Sequence, residues 1–280
     1  MSPTDAHKPT DEHEPKEPAQ DALRAAAQAL RAAHRSGEQF KPLSLNGHAL
    51  SQPEAYALQA HHVAALRQEL GSAVAGYKIG LTSTAMQQMC GIAHPVYGCV
   101  LDCRVAHGNG TASLAALGHL GIEFEVAARL GQDLRLEVGD DALARTHAAV
   151  DAFATALELV DDRHADYARL DAASLIADNA WNAGVVLGPW ASAGALLTQS
   201  HGEVFFNGQL IDRGQVGSGP AHPLASVAWL AQALAAQGQF LQAGMVVMTG
   251  SILRTRFPDA AGHWRFSLDG LGSVALSVTP

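Results

Sequence analysis

Gly121-Ile122-Glu123-Phe124-Glu125-Val126-Ala127 alternates acidic and apolar side chains with a period of two, the pattern of a β-strand with one face in a core. On such a strand residues i and i+2 share a face, so Glu123 and Glu125 stand side by side, about 7 Å apart at Cα. Outward from there, the chain beyond residue 72 reads as short β-type runs bounded by glycine, asparagine or aspartate, at 75–79, 96–101, 121–130, 155–160, 185–187, 203–206, 245–248, 264–268 and 273–278. Helical patterns fall between them at about 141–154, 170–180 and 223–237. The alternation lacks a regular strand-helix-strand rhythm, which predicts an α+β fold rather than a doubly wound parallel sheet.

The N-terminal side is different. Residues 1–18 hold four prolines, many charges and one alanine, too little apolar surface to offset the entropy of ordering, and predict a disordered tail. From Asp21, Leu23, Ala26, Leu30 and Ala33 recur at helical spacing before Gly37. A second helix is expected from Ser51 to about Leu70, with Ser51 as cap, Pro53 in the first turn and Gly71 closing it.

Composition narrows the function. A chain of 280 residues buries on the order of 70–75% of its unfolded surface, so its core needs no disulfide or metal staple. The formal net charge of -9 and the absence of any Lys/Arg run exclude a protein that coats nucleic acid or adsorbs to membranes through positive charge. A small-molecule ligand is expected. No segment approaches the roughly 18 uninterrupted apolar residues of a spanning helix. Three cysteines, Cys90, Cys99 and Cys103, without a secretory h-region fit reduced thiols in the cytoplasm, and the Asn109 sequon then has no role. There is no G-x-G-x-x-G after a strand, no Gly-Lys P-loop, no H-E-x-x-H and no G-x-S-x-G. The fourteen histidines are dispersed, and Cys99 and Cys103 lack a second ligand pair for zinc.

A third acid, Glu158, stands inside the apolar run Ala156-Leu157-Glu158-Leu159-Val160, where burial demands a partner. Three carboxylates without thiolate or clustered imidazole make a hard oxygen site that suits Mg2+ or Mn2+ better than Zn2+. Lys78, in Gly76-Tyr77-Lys78-Ile79-Gly80-Leu81-Thr82-Ser83, sits in a short apolar strand running into a polar turn. Alone it reads as a snorkelling surface lysine; beside a metal-bound acid it binds a carboxylate or moves a proton.

Together and in this order, these segments resemble the 2-keto-4-pentenoate hydratase and 4-oxalocrotonate decarboxylase group of the fumarylacetoacetate hydrolase superfamily. Further matches are Ile176-Ala177-Asp178-Asn179-Ala180, Gly244-Met245-Val246-Val247-Met248-Thr249-Gly250-Ser251 and Gly270-Leu271-Gly272-Ser273-Val274, so that the resemblance covers about residues 50–279. It implies that Glu123, Glu125 and Glu158 ligate a divalent cation and that Lys78 is catalytic. Leu81, Asn179 and Ser251 become candidate substrate contacts, whereas glycine-flanked hydroxyls such as those of Thr249 and Ser251 more often form turns, and Arg163 reads as an ion-pair partner. The implied fold has N-terminal helices and a mixed, rolled β-sheet core of the fumarylacetoacetate hydrolase C-terminal type. The implied organisation is a single catalytic domain at 19–280, with a helical part at about 21–70 and a β-rich metal-binding core at about 73–280, in a cytoplasmic homo-oligomer.

The implied activity is that of a Mg2+- or Mn2+-dependent hydratase adding water to a 2-hydroxydienoate or 2-oxo-enoate from aromatic-compound catabolism. The alternatives are a 2-oxo-acid decarboxylase, an acylpyruvate C–C hydrolase, or a non-catalytic partner subunit. Two departures bear on substrate. The family's Gln-Pro-Asp turn reads His94-Pro95-Val96 here, leaving His94 or water to replace the acid, and Trp181 stands where relatives carry small serines.

Overall fold

The computed structural model describes residues 17–194, 200–217 and 221–280. The tail expected at 1–18 lies outside them except for its last two residues. These already belong to helix α1 (Glu17–Ser36), which begins four residues before the expected start and buries Leu23, Ala27 and Leu30 along one face. A small hairpin, β1 (Ser44–Leu45) and β2 (His48–Ala49), leads into α2 (Gln52–Leu70). There Ser51 caps the helix and Gly71 closes it in the left-handed region, as the sequence predicts, and Glu54 completes a reciprocal capping box with Ser51.

Next come β3 (Val74–Gly80), α3 (Thr84–Met89), β4 (Val96–Leu101), β5 (Val105–His107), β6 (Asn109–Ser113) and β7 (Leu120–Leu130). Then α4 (Ala142–Ala149) runs directly into β8 (Val150–Asp161). The helix expected to residue 154 therefore ends five residues early. Ala152 to Ala156 are claimed by antiparallel pairing with Arg129 to Glu125 of β7, a long-range ladder that overrides alanine's helical propensity. The pattern at 170–180 yields only α5 (Ala172–Ala177) and a 3-10 turn at Asn179–Trp181. The chain continues with β9 (Asn182–Leu187), β10 (Ala191–Ser192), β11 (His201–Phe206), β12 (Gln209–Gln215), α6 (Pro223–Ala235), β13 (Val246–Ser251), β14 (Gly262–Leu268) and β15 (Gly272–Thr279).

These strands build two mixed sheets, the α+β arrangement expected from the sequence. The larger has the order β4-β3-β13-β7-β8-β9-β5, with β10 beside β8, and the smaller the order β12-β11-β14-β15-β6. Most pairs are antiparallel; β13/β3, β5/β9 and β15/β6 are parallel. The sheets share one core. Ile122, Phe124 and Val126 of β7 and Leu157 of β8 join Phe266, Val274 and Leu276 of the smaller sheet, with the Phe124 and Phe266 rings 5.5 Å apart edge to face. Because side chains alternate, Glu123, Glu125 and Glu158 point to the opposite face of the larger sheet. A second apolar cluster forms from the helices, including Leu58 of α2, Leu175 and Ile176 of α5, Val96 and Trp181.

Gly76 is required by this topology. It pairs with Val246, and a Cβ there would collide with the Val246 carbonyl.

Candidate metal centre

Strand register assembles the acids. Glu123 on β7 faces Glu158 on β8 directly across the antiparallel ladder, and Glu125 lies two residues along the same face. Carboxylate oxygens of the three lie within 4.8 Å of one another. Glu125 and Glu158 are fully buried and Glu123 is half-buried. Lys78 on β3, itself buried, brings Nζ to 3.2 Å from Glu158 Oε1.

Each acid has one positioning contact. Thr255 Oγ1 donates to Glu123 Oε1 at 2.8 Å, and Asn182 Nδ2 donates to Glu158 Oε1 at 2.9 Å. The pairing of β13 with β7 shifts register between Met248 and Ser251, and there the Gly250 N–H donates to Glu125 Oε2 at 2.9 Å. Gly250 has φ 102°, a conformation that favours glycine. Glu125 Oε1 and Glu158 Oε2 are left buried with no hydrogen-bond partner. Buried carboxylate oxygens are rarely orphaned. Two of them converging with Glu123 in an all-oxygen donor set fit a hard divalent cation.

The electrostatics are consistent with that fit. Burial, then the neighbouring charges of Glu158 and Glu123, push the Glu125 carboxyl well above its usual range. Burial also raises Glu158 to about 7, with Lys78 opposing and Glu123 adding to the rise. Burial disfavours the Lys78 ammonium, but the three surrounding acids outweigh it and raise its pKa. Three acids against one base leave this pocket short of positive charge.

Glu123 and Lys78 border a cavity of about 760 Å³ whose walls also include Leu81, Trp181, Ser251 and Phe257. Leu81 adopts a left-handed φ of 55° at the end of the lysine strand. Ser251 lines the cavity, but its hydroxyl is engaged with backbone, accepting from Phe124 N–H and donating to the Leu253 carbonyl. Asn179 is not brought to this cavity. Its amide is consumed by strand β4, accepting from Cys99 N–H at 2.7 Å and donating to the Cys99 carbonyl at 2.9 Å. Those bonds anchor three successive left-handed residues, Asn179, Ala180 and Trp181, with φ 50°, 48° and 61°. Left-handed non-glycine residues cost on the order of 1–2 kcal/mol each. What this backbone secures is Trp181 in the cavity wall, edge-on to Phe40 at 5.2 Å and to Tyr167 at 6.0 Å.

His94 and Val96 are both absent from the walls. Val96 is buried opposite Gly80, and the His94 ring contacts the carbonyl of Pro95. Arg163 forms an ion pair with Asp178 at 2.5 Å, in the structural role expected of it. Sequence reasoning missed Thr255, Asn182 and Tyr167. Nothing in the sequence around Thr255 marks it; Asn182 directly follows the strained turn.

The profile of the fumarylacetoacetate (FAA) hydrolase C-terminal family matches residues 102–279. A 2-keto-4-pentenoate hydratase from Burkholderia vietnamiensis is 34% identical over 262 residues, 92% of this chain and 97% of that protein. A 4-oxalocrotonate decarboxylase from Pseudomonas putida is 30% identical over 227 residues, 79% of this chain and 83% of that protein. Among solved structures, 4-oxalocrotonate decarboxylase from Pseudomonas putida G7, complexed with magnesium and adipate, superposes with a TM-score of 0.83 at 26% identity, covering 92% of this chain and 98% of that one. Profile, relatives and fold converge: the chain belongs to the fumarylacetoacetate hydrolase C-terminal family.

Proposed function

We propose that the protein is a divalent-metal-dependent hydro-lyase that adds water to a 2-hydroxydienoate or 2-oxo-enoate. The observation that carries this reading is the trio of carboxylates within 4.8 Å, two of them with orphaned buried oxygens, beside a buried lysine at the edge of a cavity of about 760 Å³. Glu123, Glu125 and Glu158 would hold the ion, and Mg2+ or Mn2+ suits their oxygen-only donor set. When bound, the ion supplies Lewis acidity and a template for the vicinal carboxylate and C2 oxygen of a 2-oxo acid.

The chain's own residues do the rest. Lys78, raised in pKa by the acids around it, remains protonated at neutral pH and offers a charged donor to the substrate carboxylate or to the enol oxygen. Leu81, Met86, Leu170, Trp181 and Phe257 give the cavity an apolar wall that accepts the diene carbons and limits water to the site of addition. Thr255, Asn182 and the Gly250 N–H fix the carboxylates so that their free oxygens converge.

The hydratases among the relatives support this assignment. A second reading, decarboxylation of a 2-oxo dicarboxylate, is favoured by the likeness to the decarboxylase along nearly its whole length. Both reactions develop the same enolate, and so call for the same charged groups. A homo-oligomeric, cytoplasmic enzyme, with residues 19–280 acting as one catalytic domain, completes the reading. The three cysteines are free, strands from residues 74 and 251 meet in one sheet, and no helix among the described residues is long and apolar enough to cross a membrane.

The test is turnover of 2-hydroxypenta-2,4-dienoate, followed by loss of its ultraviolet absorbance, in EDTA and after restoring Mg2+ or Mn2+. Metal-dependent loss with a hydrated product supports hydration. Release of CO2 from 4-oxalocrotonate with no hydration selects the second reading, and inertness towards both substrates under every metal refutes both.

A further inference from the structure

Trp181 lines a second cavity as well, of about 280 Å³, bounded by Arg31, His34, Arg35, His62 and Arg104. It lies where α1 and α2 meet the strained turn at 179–181, and nothing in the reaction proposed above uses it.

Its acids are already engaged. Glu69 is paired with Arg31 and Arg35. Asp161 accepts the backbone N–H groups of Gly118, His119 and Arg163 at 2.8–3.2 Å. Asp178 holds Arg163 through one oxygen and His34 through the other, each at 2.5 Å.

Its donors are not. Arg104 gives one N–H to the Asn182 carbonyl at 3.1 Å and, among the described residues, has no carboxylate partner. His62 is 3% exposed, and its Nδ1 has no hydrogen-bond partner. The indole N–H of Trp181, a wall residue, is likewise buried without an acceptor. Buried donors cost about 1–3 kcal/mol each when unmet. A cavity with spare donors on one side and satisfied acids on the other calls for a ligand rich in acceptors.

His34, His62 and Asp178 also offer atoms within 4.8 Å of one another, the spacing of a metal site. That alternative conflicts with the same contacts. The His34 to Asp178 separation of 2.5 Å is a hydrogen bond occupying both candidate ligand atoms, and the other Asp178 oxygen is held by Arg163. Arg31, Arg35, Arg104 and Arg163 surround the spot with guanidinium charge that repels a dication.

We propose that this cavity is a binding site for a small multiply charged oxyanion, of phosphate or compact dicarboxylate type, held by Arg104, Arg35 and His62. Guanidinium groups are suited to this, since their planar fork of N–H donors matches the oxygens of phosphate and carboxylate alike.

The test is calorimetric titration of inorganic phosphate, and separately of succinate, into the EDTA-treated full-length protein at constant ionic strength. One saturable equivalent per chain is expected with at least one of the two, and the stronger binder identifies the anion class. Arg104→Gln should weaken it at least tenfold and Arg35→Gln several-fold, while Lys78→Met, in the other cavity, leaves it unchanged. Arg35 is exposed, so its variant keeps the test decisive if Arg104→Gln fails to fold. Absence of saturable binding by both anions overturns the site. So does binding that survives both arginine substitutions, and so does binding lost in Lys78→Met, which would locate the anion beside the buried lysine instead. None of these outcomes depends on turnover, so the site stands or falls separately from the hydratase reading.

Discussion

Replacing Glu125 by glutamine should make the metal-free protein more stable and the metal less able to stabilise it. The glutamine side chain keeps the shape and retains an oxygen for the Gly250 N–H, so packing is preserved. What changes is charge. At separations up to 4.8 Å, each like-charged pair costs about 3.5 kcal/mol at an effective dielectric of 20. Glu125 has two such neighbours, Glu123 and Glu158, and one compensating cation, Lys78, which leaves a net penalty of about 3 kcal/mol. If the folded chain avoids the charge by holding a proton instead, the cost at pH 8 is about 1.4 kcal/mol for each pH unit above the ordinary pKa, a comparable sum. In EDTA at pH 8 the variant should therefore melt about 5–10 °C above the parent. Added Mn2+ at about 100 times its Kd should raise the parent by about 2.7 kcal/mol and close most of that gap. Differential scanning calorimetry with and without metal reads both numbers. A variant that melts below its parent in EDTA refutes the electrostatic reasoning. An equal gain from Mn2+ in both proteins refutes the metal centre.

Lys78→Met should lower turnover about 10²–10⁴-fold while metal binding persists, which Mn2+ titration by electron paramagnetic resonance would separate; activity within twofold of the parent excludes a catalytic lysine. The pH dependence of the metal-free protein should carry the mark of Glu158, whose pKa of about 7 when folded exceeds its value when unfolded. Its protonated form favours the folded state, so this contribution is full below about pH 4.5 and is lost as pH rises to about 7. His62, lowered to about 4 chiefly by burial, acts oppositely as pH falls below 6.5. The informative quantity is thus the melting difference between parent and Glu158→Gln at pH 5 and pH 8; the variant's advantage should grow with pH, and a constant difference would contradict the assignment. Gly76→Ala forces a methyl group onto the Val246 carbonyl and should cost more than about 3 kcal/mol in urea unfolding; a loss below about 1 kcal/mol would mean that the β3/β13 pairing yields readily.

Much of this architecture is legible before any coordinates. Period-two alternation at 121–127 fixes which face of β7 enters the core, and the same rule assigns both glutamates to the other face. Ser51, Pro53 and Gly71 mark the limits of α2 through local chemistry that packing does not override. Long-range pairing is harder to see. Residues 150–154 look helical by composition, yet they belong to β8 because β7 offers a complete ladder. Strands β6 and β12 escape the sequence pattern altogether. Each is an edge strand of the smaller sheet, polar and partly exposed, and so lacks the apolar rhythm that reveals a buried strand. At the site, charge type and spacing expose Glu123, Glu125 and Glu158, whereas Lys78 stands out only through the family motif that it shares. Thr255 and Asn182 are invisible because a neutral side chain reveals its role only through what it touches. Asn179 illustrates the converse. Its motif singles it out, but its amide binds the Cys99 backbone.

The order of the larger sheet has a consequence for biosynthesis. Strand β13, made late, is the one that sits between β3 and β7, so the lysine strand and the glutamate strand are not joined into one sheet until it arrives. At translation rates of about 5–20 residues per second, the stretch from Gly80 to Ser251 takes roughly 10–30 s to emerge. During that interval β3 and β7 each present an unpaired edge, and the acids of the future site lack their lysine. The nascent chain is therefore most vulnerable to edge-to-edge association in that window, and slowing synthesis would prolong it rather than help. Chaperone support during synthesis, or a circular permutant that makes β13 before β3, addresses the cause directly.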